Sequence, residues 1–202
     1  MLQGNFTYER QAGLCQQETH LKALGPYYQG HPRREQSGMK QSEALTISIG
    51  VLGGVDVFLT ATIIPLPVWV TFTAWASFFI VGGGARGFVK SIACNITGII
   101  IAALSLLAID LIGNSPIIAA ICVGIGSAAM VQASKLPFTH GITPAIVWGF
   151  SQTVGTVAVT GLSVTAALPN NPVLIAIAAM SLGAIFGYLS EAWGKAMTTS
   201  LA

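Results

Sequence analysis

One carboxylate is conspicuous for its position. Asp56 lies near the middle of an apolar run from Ala44 to Ile64, and an ionisable group at that depth of a hydrophobic helix is costly unless it meets a polar partner, a path or a proton site. At ~1.5 Å of rise per helical residue, polar groups expected at similar depth are Thr73, Ser77, Ser127, Ser151, Gln152 and Thr156. Asp56, Ser77, Ser151 and Gln152, with Asn95 nearer one end, form the set expected to line a path for a small neutral or weakly ionised solute. The competing reading makes Asp56 a protonated or hydrogen-bonded group that ties two helices together. Gln132, His140, Tyr188 and Glu191 gather nearer the end that holds Asn95, as a polar vestibule or as groups solvated at the interface. For His140 and Glu191 the solvated reading is preferred.

Other chemistry finds little support. There is no HExxH and no Ser/His/Asp set, and Asp56 has no evident partner base, so an enzyme is not expected. The Gly82-Gly83-Gly84 turn lacks the GK[ST] sequel of a phosphate loop; its glycines instead let two helix ends approach closely. Cys15, Cys94 and Cys122 form no CxxC pair, which argues against both a disulfide framework and a zinc site. No cofactor or metal is expected.

The elements that must position these residues follow from composition. The chain is 53% hydrophobic and only 8% charged, with a mean hydropathy of +0.72, which places it with polytopic membrane proteins. Its net charge of +2 is divided equally between residues 1–43 and the remainder and forms no basic patch of the kind that binds nucleic acid. Residues 1–43 read as a polar, disordered tail and 44–198 as a transmembrane domain. Residues 1–38 lack the apolar core of a cleavable signal, and Met39-Lys40 before an apolar segment resembles a translation start. An arm that binds a partner through Tyr8, Tyr27 and Tyr28 is the functional alternative for that region.

Apolar segments bounded by Pro, Gly, Asn or charge predict six helices over 44–64, 67–82, 91–112, 115–134, 143–166 and 172–195. Pro67 is tolerated in a first turn, where its missing N–H has no helical acceptor to lose. The fold class is therefore an all-α membrane protein, a six-transmembrane-helix bundle. Six crossings place both termini on one side. Arg33, Arg34, Lys40, Arg86, Lys90, Lys135 and Lys195 then share that side, and the opposite loops carry only Asp110 at an edge. Because basic residues in short loops collect inside, the termini are expected to be cytoplasmic. Trp69 and Trp193 fit interfacial anchors; Trp75 and Trp148 lie deeper.

Small residues at four-residue steps, Gly50 with Gly54 and Gly183 with Gly187, are expected to let helices pack closely, in the bundle or in a homo-oligomer. Two inverted halves of three helices are an option. It rests on a loose correspondence of Pro67 and Trp69 with Pro144 and Trp148, and on glycines in the first and fourth helices.

The run Trp75-Ala76-Ser77-Phe78-Phe79, the turn Gly82-Gly83-Gly84, then Gly87, Lys90, Ser91, Asn95 and Gly98, with the late Gly183-Ala184-Ile185-Phe186-Gly187-Tyr188, resembles the YcdZ-like family of small bacterial inner-membrane proteins. The similarity covers roughly residues 44–195. It implies a small inner-membrane bundle and brings no catalytic or binding residues with it. The expected function is a channel or facilitator for a small solute, and the alternative is an accessory subunit of a larger membrane complex; the bilayer is a partner in both.

Overall fold

A computed structural model describes residues 40–199. All regular structure among them is helical: α1 (Gln41–Thr62), α2 (Val68–Ile80), α3 (Gly84–Ile112), α4 (Pro116–Ala133), α5 (Thr143–Thr160) and α6 (Pro172–Thr199). The expected tail at 1–38, including its three tyrosines, lies outside the described residues.

The helix ends have local causes. Glu43 accepts the Lys40 N–H at the start of α1. Ser115 accepts the Ile118 N–H at 3.3 Å, ahead of Pro116 in the first turn of α4, an ordinary N-cap. Gly161 ends α5 in the left-handed conformation, at φ 67, which only glycine adopts without strain. Four boundaries differ from expectation by three residues or more. Helix α1 begins at Gln41, so that 41–43 of the expected tail are helical, and α6 runs to Thr199 rather than 195. Helix α3 begins at Gly84, seven residues before Ser91, because Glu191 of α6 accepts the Gly84 N–H at 2.6 Å and holds the helix start. Arg86 and Lys90 are thus helical rather than in a loop. Helix α5 stops at Thr160 instead of 166, at the Gly161 cap.

Helices α1, α3, α4 and α6 are long and apolar enough to cross a membrane. Helix α2 has 13 residues, about 20 Å at the usual rise, and α5 dilutes its 18 residues with Gln152 and four threonines. Each buries one face: Val70 and Ala74 of α2, and Ala145 and Ile146 of α5, are fully buried.

The two sets of three helices repeat one burial scheme. Each of the nine buried residues of α3 has a buried counterpart in α6 at the spacing of Gly98 from Gly183. Thus Cys94, Gly98 and Ala102 answer to Ala179, Gly183 and Gly187, all buried and small. In α2 and α5, Val70, Thr71, Ala74, Trp75 and Phe78 answer to Ala145, Ile146, Gly149, Phe150 and Thr153. In α1 and α4, Ala44 and Ser48 answer to Cys122 and Gly126. This register sets Trp69 opposite Pro144 and corrects the looser pairing of Trp69 with Trp148. Packing partners follow the same exchange. Helix α3 packs most extensively on α5, as α6 does on α2; α1 packs on α6, as α4 does on α3; and α1 and α4 do not touch.

Helix ends sort into two groups. Leu45 of α1 touches Gly194 of α6, Gly84 meets Glu191, and Phe138, after α4, faces Arg86 and Lys90 across a groove. Lys40, Arg86, Lys90, Lys135 and Lys195, all the Lys and Arg among the described residues, lie at this end. At the other end Asp110 accepts a hydrogen bond from Ser163 at 2.7 Å.

Candidate functional site

Close helix contact positions the polar core. At Gly98 an added Cβ would overlap the Ile146 carbonyl oxygen, at Gly149 the Asn95 carbonyl oxygen, and at Gly183 the Thr71 carbonyl oxygen. These backbones approach so closely that only glycine fits, which is how small residues replace hydrophobic drive between helices in lipid. Gly187 lies equally tight against the Phe78 side chain. Gly183 and Gly187 therefore pack as expected. Gly50 and Gly54 are exposed with no atom within 4 Å of an added Cβ. The packing glycine of α1 is Gly53, 3.4 Å from the Phe72 ring, because Gly53, Asp56 and Thr60 share the inner face of that helix.

Asp56 is fully buried. Its Oδ2 lies 2.5 Å from the Thr71 hydroxyl, which is also 2.7 Å from the Val68 carbonyl. Thr71 has one proton for two acceptors. The hydroxyl therefore donates to the Asp56 carboxyl or to the Val68 carbonyl, one at a time. Asp56 Oδ1 has no hydrogen-bond partner among the described residues.

A second group joins α2 and α3. The Ser91 hydroxyl donates to Ser77 at 2.9 Å, and Ser77 donates to Asn95 Oδ1 at 3.1 Å. All three are buried. Asn95 also faces a narrow cleft between α3 and α6, lined by Ile92, Asn95, Ile96, Ile99, Ile177, Met180 and Ser181 and too tight for a water molecule. Its walls are counterparts of one another: Ile92 and Ile177, Asn95 and Met180, Ile96 and Ser181. The cleft therefore lies between matching faces of α3 and α6.

A third group ties α1, α2 and α6. Trp75 Nε1 donates to the Ser190 hydroxyl at 3.0 Å, and the Ser48 hydroxyl donates to the Ser190 carbonyl at 3.0 Å. Trp75 stacks between Phe72 and Phe186. Its counterparts are Phe150, Ser105 and Gly126, which also meet in space: a Cβ on Gly126 would lie 2.5 Å from the Ser105 hydroxyl and 3.1 Å from the Phe150 ring.

Of the five residues expected to line a path, the structure brings together Ser77 and Asn95 and buries Asp56 one helix away. Ser151 is exposed and bonds only the Trp148 carbonyl of its own helix; it does not reach the cluster, since it falls on the outer face of α5. Gln152 is half-buried. Ser127 is exposed too. Glu191, expected to be solvated, instead pairs with Lys195 and caps α3. Sequence reasoning missed Thr71, Ser91 and the Ser48–Ser190 pair. The steps at Cys94, Gly98 and Ala102, matching Ala179, Gly183 and Gly187, were a readable signal for the register that places them.

Residues 46–195 match the family model described as "Protein of unknown function (DUF1097)". The chain belongs to this family. The match spans all six helices apart from the ends of α1 and α6, so the family is defined by the bundle and not by residues 1–39. The match supports membership of an uncharacterised family and does not carry the YcdZ-like name. No curated protein and no solved structure matches the chain.

Proposed function

We propose that this chain is an integral membrane carrier for a small, neutral or weakly ionised solute. In this reading it is built from two inverted three-helix halves, with the solute path running past Asn95. The observation that carries this reading is the repetition of one burial and packing scheme by the two halves around a narrow, mostly apolar cleft that holds Asn95 and Ser181. Three crossings per half give the halves opposite orientation, and carriers of this kind place their site at the repeat interface near mid-bilayer. Such halves exchange roles to open one side and then the other. The tight cleft is the occluded form of that cycle, which favours a carrier over an open channel.

The six crossings include α2 and α5, which are shorter or more polar than the rest but bury one face in the bundle. With the basic end inside, both termini are cytoplasmic and the membrane is a bacterial inner membrane. Asp56, bonded to Thr71 through Oδ2 and with Oδ1 unpartnered among the described residues, supplies a proton site one helix from the path; no catalytic step, cofactor or metal is required.

Proteoliposome flux across a panel of small amides, acids and amines tests the proposal. Uptake of at least one class that falls to the empty-liposome rate in Asn95→Leu supports it. An absence of protein-dependent uptake across the panel contradicts it.

The outward faces of α1 and α4 favour a second reading. Gly50, Gly54 and Gly124 are exposed, with nothing within 4 Å of an added Cβ, a surface suited to another membrane helix. A second copy of the chain makes it a homo-oligomer, and a different protein makes it an accessory subunit. Purification as a self-contained particle favours the first, and obligate co-purification with another chain favours the second.

A further inference from the structure

The basic end carries a groove that the transport reading does not use. Arg86 and Lys90 lie four residues apart on α3 and so on one side of it. Among the described residues neither has a carboxylate partner; the ion pair at this end is Lys195 with Glu191. Between these cations and the loop after α4 lies a groove lined by Ala85, Arg86, Val89, Lys90, Ala93 and Phe138. Val89 is 66% and Phe138 78% exposed, so the floor and far wall are apolar.

Length places the groove at the lipid headgroups. The 29 residues of α3 span about 43 Å, roughly 13 Å more than the hydrocarbon core. At its far end Asp110, exposed and bonded to Ser163, marks the opposite interface. The stretch from Gly84 to Ile109 is still about 9 Å longer than the hydrocarbon core, and that excess falls at the Arg86 end.

We infer that this groove binds an anionic phospholipid, its phosphate held by Arg86 and Lys90 and an acyl chain laid along Val89, Ala93 and Phe138. The occupant is a lipid and not a free anion because only a lipid uses both parts: two unpaired cations at headgroup level and an apolar trough leading from them toward the hydrocarbon. The inference rests on the chain crossing the bilayer and is independent of whether it transports.

The full chain in neutral detergent, titrated with phosphatidylglycerol, phosphatidylcholine or inorganic phosphate and followed by thermal unfolding, provides the test. Phosphatidylglycerol alone should raise the melting temperature. In R86Q/K90Q its half-saturating concentration should rise about thirtyfold, since each basic residue near the surface contributes about a factor of five. Phe138→Ser should weaken the lipid effect, and Lys135→Gln, at the same end but bonded to Gln132, should leave it unchanged. Equal stabilisation by phosphatidylcholine or by phosphate overturns the inference. So does an equal loss in Lys135→Gln, or an unchanged titration in R86Q/K90Q.

Discussion

The first half of the chain, α1–α3, and the second, α4–α6, share a packing scheme and differ in what they bury. Where the first half places Ser48, Thr71, Ser77, Ser91 and Asn95, the second places Gly126, Ile146, Gln152, Ala176 and Met180. Polar groups of the first half bond across helices: Asp56 with Thr71, and Ser77 with Ser91 and Asn95. In the second half Thr153 bonds Gly149 and Thr156 bonds Gln152, each within its own helix, while Ser190 and Glu191 reach back to Trp75 and Gly84 of the first half. Small residues set the shape in both halves, while side-chain bonds between helices of one half are found in the first.

The largest effect should come from breaking the shared scheme. Gly98→Leu and Gly183→Leu each force a side chain into a neighbouring helix backbone, and overpacking of this sort costs about 1–3 kcal/mol or more. Both should abolish the monodisperse particle on size exclusion, and to a similar degree. Tolerance of one and not the other would show that the halves are not packed alike.

Asp56→Leu comes next. It removes the inter-helix bond to Thr71, which keeps its bond to the Val68 carbonyl, so the loss is that of one buried hydrogen bond, about 1.5 kcal/mol. Thermal unfolding in a fixed detergent should show the loss, while Asp56→Asn, which keeps a donor for Thr71, should stay near wild type in stability. If the Asn variant is as unstable as the Leu variant, the charged form is what holds the pair together.

Asn95→Ala should destabilise by about 1 kcal/mol, as for a buried hydrogen bond, and Gln152→Ala at the position matching Ser77 by less than about 0.5 kcal/mol, as for a surface change. Equal losses would erase the contrast in polarity between the halves. The smallest effects belong to Ser151→Ala and to Gly50→Leu in the isolated chain, neither of which touches a neighbouring helix. A shift in oligomer size with Gly50→Leu would assign that face to a second copy.

Much of the fold was legible because lipid leaves few options. Six apolar segments, their Pro and Gly punctuation and the one-sided basic residues each reflect a single dominant cost, that of burying charge or unpaired backbone. Pairing was harder to read. The close approach of Gly98 to Ile146 and of Gly183 to Thr71 depends on two helices at once, and single-helix periodicity carries no signal of the partner. Gly50 and Gly54 show the limit: four-residue spacing identifies a flat face, not the face that is covered. In the same way depth alone grouped Ser151 with Ser77, whereas rotation about the helix axis separates them, Ser77 facing in and Ser151 out. Asp56 was recognisable from its cost; its partner Thr71 was not, since a threonine on an apolar helix commonly bonds its own backbone, as Thr73 does to Trp69.

The central claim, that the halves are inverted copies, is most directly tested by a matched pair of single cysteines. Ala85 and Asn170 correspond at the spacing of Gly98 and Gly183, and both are exposed. With Cys15, Cys94 and Cys122 replaced, an impermeant thiol reagent added to intact cells should label Asn170→Cys and leave Ala85→Cys unmodified until the membrane is opened. Equal labelling of the two from outside would place matching positions on one side of the membrane and contradict the inverted arrangement.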